Sequence, residues 1–464
     1  MRARGRLWLA LGLLLLMSAV HPGIRALSKM RPPEVPLSTL TRSDHRDARQ
    51  AGRASVRTVG KILEVRLAGT AEEIGAEHSL LLHDEMVATE SVVWQLLDQK
   101  VPNRVARWLL LDAGQLAYRR VADSMSDARR REIAAAALAF RPDPFADRFD
   151  TFQRFVYLSS LYDISLGYER SPLVGCTTFT FSGPAAAGSP LLARAFDFDV
   201  DDVFDEKKAV FLVSEDGKIP FASVAWPGLV GVVSGMNREG VAVVVHGARA
   251  GPTRTTGEIV VHELRRLLER SRTTAEAVAA LSETEPLVSH IVIIQDAAGD
   301  AVAVERIPGA PLFVRDLHER AVVTNHLEGP FASDPKNLRV RSQSSTLSRR
   351  ARGDALLREL THPADAGDAT RLLRDRAAAD GSPLPLGDRR AVDALIATHA
   401  VVMETATRRL WVSEAPHMLG RFVAFDLGPL LDPNLSPDDD PPHATIAEDP
   451  LLTSGRYASF RRAE

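Results

Sequence analysis

The sequence predicts an α+β fold of β-sheets carrying helices on their outer faces, preceded by a mainly helical section. Two observations carry this. From Cys176 onward the chain breaks into short β-prone runs divided by glycine, proline and acidic turns, then two helical stretches, then strands again. Before Cys176 the dominant pattern is helical. A formal net charge of only -3 gives no broad field for attracting nucleic acid, so that partner is not expected. With no zinc-ligand spacing and no glycine-rich phosphate loop, no metal and no cofactor are expected either.

Residues 1–26 come first. Arg2, Arg4 and Arg6 precede an apolar run from Leu7 to Val20, the pattern of a secretory signal, with Ala19 or Ala26 at the cleavage point. The run falls short of the roughly 20 apolar residues that span a bilayer comfortably. Export to a periplasmic or extracellular location is therefore expected, with a membrane anchor through residues 7–20 as the alternative. Residues 27–55 mix proline, serine and charge without periodicity and read as a flexible lead-in.

Residues 56–175 form the helical section. Ile62–Leu67 alternates as a strand, and Thr70 with Glu73 forms a capping box opening a helix at Ala71 that runs to about Leu97. A second helix covers Met125–Phe140, before Pro142 and Pro144. Residues 176–430 form the main, strand-rich domain. Its strands include CTTFTFSG, LLARAFDFD, KAVFLVS and VAVVVHG, with helices at Glu258–Glu269 and Thr274–Leu281. HIVIIQD, AVAVER and AVVTNH are strands again, followed by helices at Thr346–Leu360 and Thr370–Ala378. THAVVME and RLWVSEA, joined by Thr405-Ala406-Thr407, read as a hairpin. Residues 431–464 have low apolar content around SPDDDPPHATIAEDP and read as a loose tail.

Cys176 is the only cysteine, so it can be neither half of an internal disulfide nor part of a multi-cysteine metal site. Its plain reading is a small buried hydrophobe. The preceding Gly175 points elsewhere, because a residue without Cβ permits close approach to the Gly175–Cys176 peptide bond. If the thiol attacks that carbonyl and water releases the acyl group, the new chain begins at Cys176. Its free α-amine, with a pKa near about 8, then serves as base to its own thiol. Downstream, Arg194 could lower the thiol pKa and Asp197 could hold the released amine. Three positions apart on a strand, they face opposite sides, so one site uses both only at a bulge or strand end. Otherwise they form a salt pair at a turn.

The ordered pieces GTAEEIG (Gly69–Gly75), GCTTF (Gly175–Phe179), ARAFD (Ala193–Asp197), Pro227-Gly228, GMNREG (Gly235–Gly240), TNH (Thr324–His326), STLSR ending at Arg349 and THAVV (Thr398–Val402) together resemble one family. It is the N-terminal-nucleophile cysteine hydrolases of the acyl-coenzyme A:6-aminopenicillanic-acid acyltransferase type, related to choloylglycine (bile-salt) hydrolase, penicillin V acylase and acid ceramidase. The resemblance implies a four-layer αββα sandwich. It also implies Cys176 as nucleophile and self-cleavage residue, Arg194 and Asp197 as site residues, Asn325 as oxyanion donor and Arg349 as a later site arginine. The chain departs from the family at Ala195, where the motif has asparagine, and at Ser79, where it has glycine. At Val245-His246-Gly247 the bile-salt and penicillin V branches have a second oxyanion asparagine; here His246 or a backbone N–H would take that duty, or the oxyanion hole is weaker.

The implied activity is a self-processing cysteine amidohydrolase or acyltransferase working through a Cys176 thioester. Its partners are a small-molecule N-acyl amide, an acyl acceptor if transfer occurs, and its own two fragments remaining associated. Asn237 and Glu305 are supporting candidates. Asn237 is expected to fix a turn, and Glu305 either pairs with an arginine near the site or faces water. Two rival readings stand: an uncut cysteine hydrolase with His246 or His326 as base, and an exported binding protein that lost its chemistry.

Overall fold

The computed structural model describes residues 21–45, 48–167, 174–432 and 442–463. The apolar segment 7–20, with Ala19, lies outside these residues. Among the described residues no helix is long and apolar enough to cross a membrane. Residues 21–28 are helical. His21 is bound into the body: Nδ1 lies 2.9 Å from the Asp112 carboxylate, and Trp108 Nε1 donates to Nε2 at 3.2 Å.

Two sheets stack face to face. In the first, eleven strands run in the order β1 (Ser43–His45), β2 (Ala48–Ala51), β3 (Ala54–Val59), β4 (Ile62–Gly69), β7 (Ala209–Glu215), β8 (Phe221–Ala225), β9 (Ser234–Asn237), β10 (Ala242–Gly247), β11 (His290–Gln295), β12 (Ala301–Arg306) and β13 (Phe313–Asp316). Only β4–β7 is parallel, pairing Leu63 with Ala209 through Gly69 with Glu215. The second sheet runs β14 (Arg320–Val323), β5 (Val174–Phe181), β6 (Leu191–Phe198), β15 (Ala397–Glu404), β16 (Arg409–Ser413), β17 (Phe422–Asp426) and β18 (Thr445–Ile446).

Alternating side chains sort into three apolar layers. Leu212, Val244 and Ile291 meet Leu192, Val401 and Leu410 between the sheets. Ile74, Leu81, Ile133, Leu264 and Leu267 from helices cover Val243, Val245 and Val292 on the outside of the first sheet. Leu356, Leu360 and Leu372 cover Phe179, Ala193 and Val402 on the outside of the second. The order is helix, sheet, sheet, helix, as the αββα expectation required.

The capping box forms: Glu73 N donates to Thr70 Oγ1 at 3.3 Å, and Thr70 N to Glu73 Oε2 at 2.8 Å. The helix it opens, Ala71–Lys100, packs on helix Asp127–Ala139 through Gly75, where a Cβ would stand 2.0 Å from Glu132 O. The two backbones touch, which only glycine allows.

Three boundaries need correction. The lead-in 27–55 carries β1, β2 and the start of β3, because its short apolar positions Ala51 and Ala54 are buried by pairing rather than by periodicity. The section 56–175 is mainly helical, but its strands β3 and β4 belong to the same sheet as β7, so position 176 does not divide two domains. The tail 431–464 holds β18 and helices Pro450–Thr453 and Arg456–Ala463, with Leu451 buried against Leu395 and Leu419. The helix expected at Thr370–Ala378 instead spans Ala366–Leu373, fixed by an Asp365–Asp368 capping box. Helix Arg104–Ala117, capped by Asn103, was not foreseen.

Candidate active site

Strand β5 opens the second sheet's contribution to the site. Its register on β6 sets Gly175 opposite Asp197, Cys176 opposite Phe196 and Thr178 opposite Arg194. Cys176, Thr178, Arg194 and Phe196 therefore share the face toward the first sheet, while Thr177, Ala195 and Asp197 share the face toward the helices. Arg194 and Asp197 do point to opposite sides. Both still adjoin the Gly175–Cys176 peptide near the start of β5: Arg194 Nη2 at Cys176 Sγ, and Asp197 Oδ2 3.4 Å from where a Cβ on Gly175 would stand. A Cβ on Gly175 would stand 3.3 Å from Asp197 Cβ, a tight contact that a larger residue could make only if Asp197 shifted by a few tenths of an ångström. A register shift between Ala397 and His399 of β15 flanks the same end of β6.

On the face toward the first sheet, Arg194 is fully buried. Nη2 donates to Cys176 Sγ at 3.3 Å and to Val245 O at 3.0 Å. Nη1 lies 2.5 Å from Ser234 Oγ and 3.0 Å from His399 Nε2. The guanidinium carbon sits 4.1 Å from the centre of the Phe196 ring. Among the described residues no carboxylate stands within ion-pair distance of Arg194, so its charge is met by neutral acceptors, a sulfur and an aromatic face.

On the face toward the helices, Asn325 and Arg349 hold the main chain. Cys176 N donates to Asn325 Oδ1 at 2.8 Å, which also accepts from Arg349 Nη2 at 2.9 Å. Asn325 Nδ2 donates to Gly247 O at 3.1 Å. Arg349 Nη1 donates to Cys176 O and, at 3.0 Å, to Thr177 Oγ1. Thr346, in the first turn of the helix that carries Arg349, accepts from Asn325 N at 2.9 Å and so ties the two together.

Burial pushes the Cys176 thiol up, and the Arg194 guanidinium is the main influence opposing it. Burial likewise raises Asp197 to about 6, against the pull of Arg349. His246 and His399 are held well below the ordinary histidine value by burial and then by Arg194, so both rings are neutral.

The segment just upstream covers this site. Helix Leu161–Gly167 sets Leu166 and the Tyr162 hydroxyl against Gly247, where a Cβ would stand 2.8 Å and 3.6 Å from them. Asp163 of the same helix accepts from Val260 N at 3.1 Å. Cys176 is consequently inaccessible to solvent in the uncut chain.

Cys176, Gly175, Arg194, Asp197, Asn325 and Arg349 thus converge. The other three candidates do not join them. Asn237 holds a turn, accepting from Glu239 N and Val241 N and donating to Leu268 O and Ser271 O. Glu305 neither pairs with a site arginine nor faces water; it is buried and accepts from the backbone of Glu328 and Gly329. His246 spends its ring on Thr178 Oγ1 at 2.7 Å and Thr324 O at 3.1 Å, beneath the site rather than at the sulfur. His326 Nδ1 is bonded to Thr324 and Thr346 hydroxyls. Among the described residues no histidine hydrogen-bonds Cys176 Sγ. Sequence reasoning missed His399, Ser234, Thr346 and Tyr162. His399 and Thr346 lie inside the THAVV and STLSR pieces, which was the available signal; Ser234 and Tyr162 carried none.

Residues 186–414, a little under half of the chain, match the family described as acyl-coenzyme A:6-aminopenicillanic acid acyl-transferase. The matched stretch takes in Arg194, Asp197, Asn325 and Arg349 and begins after Cys176. No curated protein matches the chain. Among solved structures, the chain is similar to a Caenorhabditis elegans N-acylethanolamine-hydrolyzing acid amidase ortholog, at 18% identity over 50% of this chain and 93% of that one, TM-score 0.38. It is also similar to a mutant of conjugated bile acid hydrolase from Clostridium perfringens, at 12% identity over 59% and 97%, TM-score 0.38. Penicillin V acylase from Agrobacterium tumefaciens matches at 17% identity over 55% and 93%, TM-score 0.34.

Proposed function

We propose that this chain is an N-terminal-nucleophile hydrolase, related to choloylglycine hydrolase, penicillin V acylase and acyltransferase-type acid amidases, that cleaves itself before Cys176 and then works by thioester catalysis on a non-peptide N-acyl amide; the family match over residues 186–414 supports this reading. The chain is an enzyme of the cysteine hydrolase or acyltransferase type, acting on carbon–nitrogen bonds of amides. The finer reading concerns how its nucleophile is made.

One observation carries it. Polar contacts converge on the main chain of Cys176 as well as on its sulfur: Asn325 at the nitrogen, Arg349 at the carbonyl, Arg194 at Sγ. A merely buried cysteine needs none of these. An uncut thiol hydrolase would direct a histidine at the sulfur, which favours the self-cleaving reading.

In the cleavage step, Sγ attacks the Gly175 carbonyl carbon. The carbon–nitrogen bond breaks as the thiol proton passes to the departing nitrogen, leaving a thioester and a free amine on Cys176. Water then cleaves the thioester, so that Gly175 keeps a carboxylate and Cys176 regains its thiol. In turnover the new amine takes the thiol proton, and sulfur attacks the substrate carbonyl. Asn325 and a backbone N–H meet the oxyanion, where each preorganised donor contributes about 3 kcal/mol. The ammonium protonates the leaving amine. Water completes hydrolysis, or an acceptor amine completes acyl transfer. In this proposal Asp197, opposite Gly175 in the strand register, holds the ammonium.

The two fragments stay together in this proposal. β4 of the front piece pairs with β7 of the rear piece, and Arg129 of the front piece joins Glu215 across the cut. Export through residues 1–26 is part of the proposal as well.

Intact mass of the purified protein tests the reading. Two chains are expected, the second starting at Cys176, whereas Cys176→Ala gives one uncut chain that releases no amine from a panel of N-acyl amides. An active single chain refutes it.

A further inference from the structure

We propose that His399, together with Ser234, is a positioning residue that keeps the Arg194 guanidinium aimed at Cys176 Sγ. The inference rests on the functional reading above and names two residues through which it operates.

The geometry is a rigid fork with one prong on the sulfur and the other on His399 and Ser234. Arg194 Nη1 meets Ser234 Oγ at 2.5 Å and His399 Nε2 at 3.0 Å, and Ser234 Oγ itself lies 3.0 Å from His399 Nε2. The three groups close a ring. Phe196 is its floor: the His399 ring stacks on it at 5.2 Å with only 4° between planes, beside the guanidinium at 4.1 Å. Since the guanidinium is planar, anchoring Nη1 fixes where Nη2 points.

This arrangement demands one protonation state. His399 Nε2 must present its lone pair to Nη1, so the ring proton sits on Nδ1, which is buried without a partner. An orphaned buried N–H is unfavourable, because it gives up its hydrogen bond to water and gains none in return. A protonated ring would instead set two cations 3.0 Å apart. The fold tolerates the orphan and thereby keeps a neutral acceptor where a carboxylate would neutralise Arg194. The charged or titratable groups facing Cys176 are Arg194 and Asp197 from β6, Arg349 from helix Thr346–Glu359 and Tyr162 from helix Leu161–Gly167; those facing His399 are Arg194 and Lys208. Arg194 is the strongest of those favouring the thiolate.

The ultraviolet absorbance of the thiolate, titrated against Cys176→Ala in the full chain, reads the effect directly because there is no other cysteine. His399→Phe, which keeps the stacking and removes the acceptor, should raise the thiol titration by about one unit and lower kcat about tenfold with KM little changed. His399→Gln, whose Oε1 can accept from Nη1, should restore most of both. Ser234→Ala should shift the titration the same way by less, and it replaces His399→Phe if that variant does not fold. An unchanged titration in His399→Phe or Ser234→Ala overturns the inference, as does a His399→Gln as impaired as His399→Phe. A wild-type protein that neither self-cleaves nor hydrolyses amides refutes the functional reading instead, and the titration still decides the positioning contact.

Discussion

Two groups of buried arginines sit in the same molecule under opposite electrostatic terms. Arg129 and Arg265, between helix Asp127–Ala139, helix Val260–Arg270 and β7, are surrounded by Glu132, Glu215 and Glu269, with Lys218 bridging Glu215 and Glu269. Arg265 is held further above its ordinary value by these carboxylates, against burial. At the site, Arg194 and Arg349 are as deeply buried, yet among the described residues neither has a carboxylate within ion-pair distance. Burial draws Arg349 down from its ordinary value. The difference separates structure from chemistry. A cation already matched by glutamates has little left for a thiolate or an oxyanion, whereas one held by neutral acceptors gains most when negative charge appears beside it.

Arg265→Met offers the largest test of this contrast. Stripping one partner from a buried network leaves Glu132, Glu215 and Glu269 facing only Arg129 and Lys218, which costs about 3–5 kcal/mol. Denaturant unfolding should register that loss. Arg194→Met should do the reverse. Activity is expected to fall about 100- to 1000-fold, the scale of losing one preorganised donor, while the melting temperature holds or rises. Parallel losses of stability in both variants would erase the distinction.

Asn325→Ala comes next. It removes the acceptor at Cys176 N and a partner of Arg349 Nη2, so self-cleavage of newly made protein should slow by about a hundredfold, read from the ratio of cut to uncut chains. The smallest effect belongs to Glu77, which accepts from Arg53 N while its second oxygen has no partner. Burial raises its carboxyl to about 7 from an ordinary 4.5. A raised carboxyl contributes stability fully below about pH 4.5 and loses it as pH climbs through 7. Glu77→Gln should therefore gain on the parent by a few degrees of melting temperature between pH 5 and 8, and show no gain at acid pH.

Much of the site was legible before any coordinates. A lone cysteine behind a glycine, an Arg-Ala-Phe-Asp strand and the Thr-Asn-His and Ser-Thr-Leu-Ser-Arg pieces named Cys176, Arg194, Asp197, Asn325 and Arg349, and the structure gathers all five. Glu305 misled because an acidic residue ending a strand reads alike whether it meets an arginine or two backbone N–H groups. His246 misled because the departure from the family's asparagine drew attention to the residue, while its ring faces Thr178 across the sheets. Short strands such as β1 and β2 were missed because three or four residues hold no measurable period.

Residue chemistry and local spacing, which sequence carries in full, determined the candidate nucleophile, the Thr70–Glu73 capping box and the alternation of strands. The tertiary structure alone decided that the segment before Cys176 builds part of the same sheet, that Tyr162 and Leu166 cover the site, and that His399 and Ser234 meet Arg194. Those contacts join residues tens to hundreds of positions apart. They depend on how one sheet lies over the other, a relation that no single strand encodes.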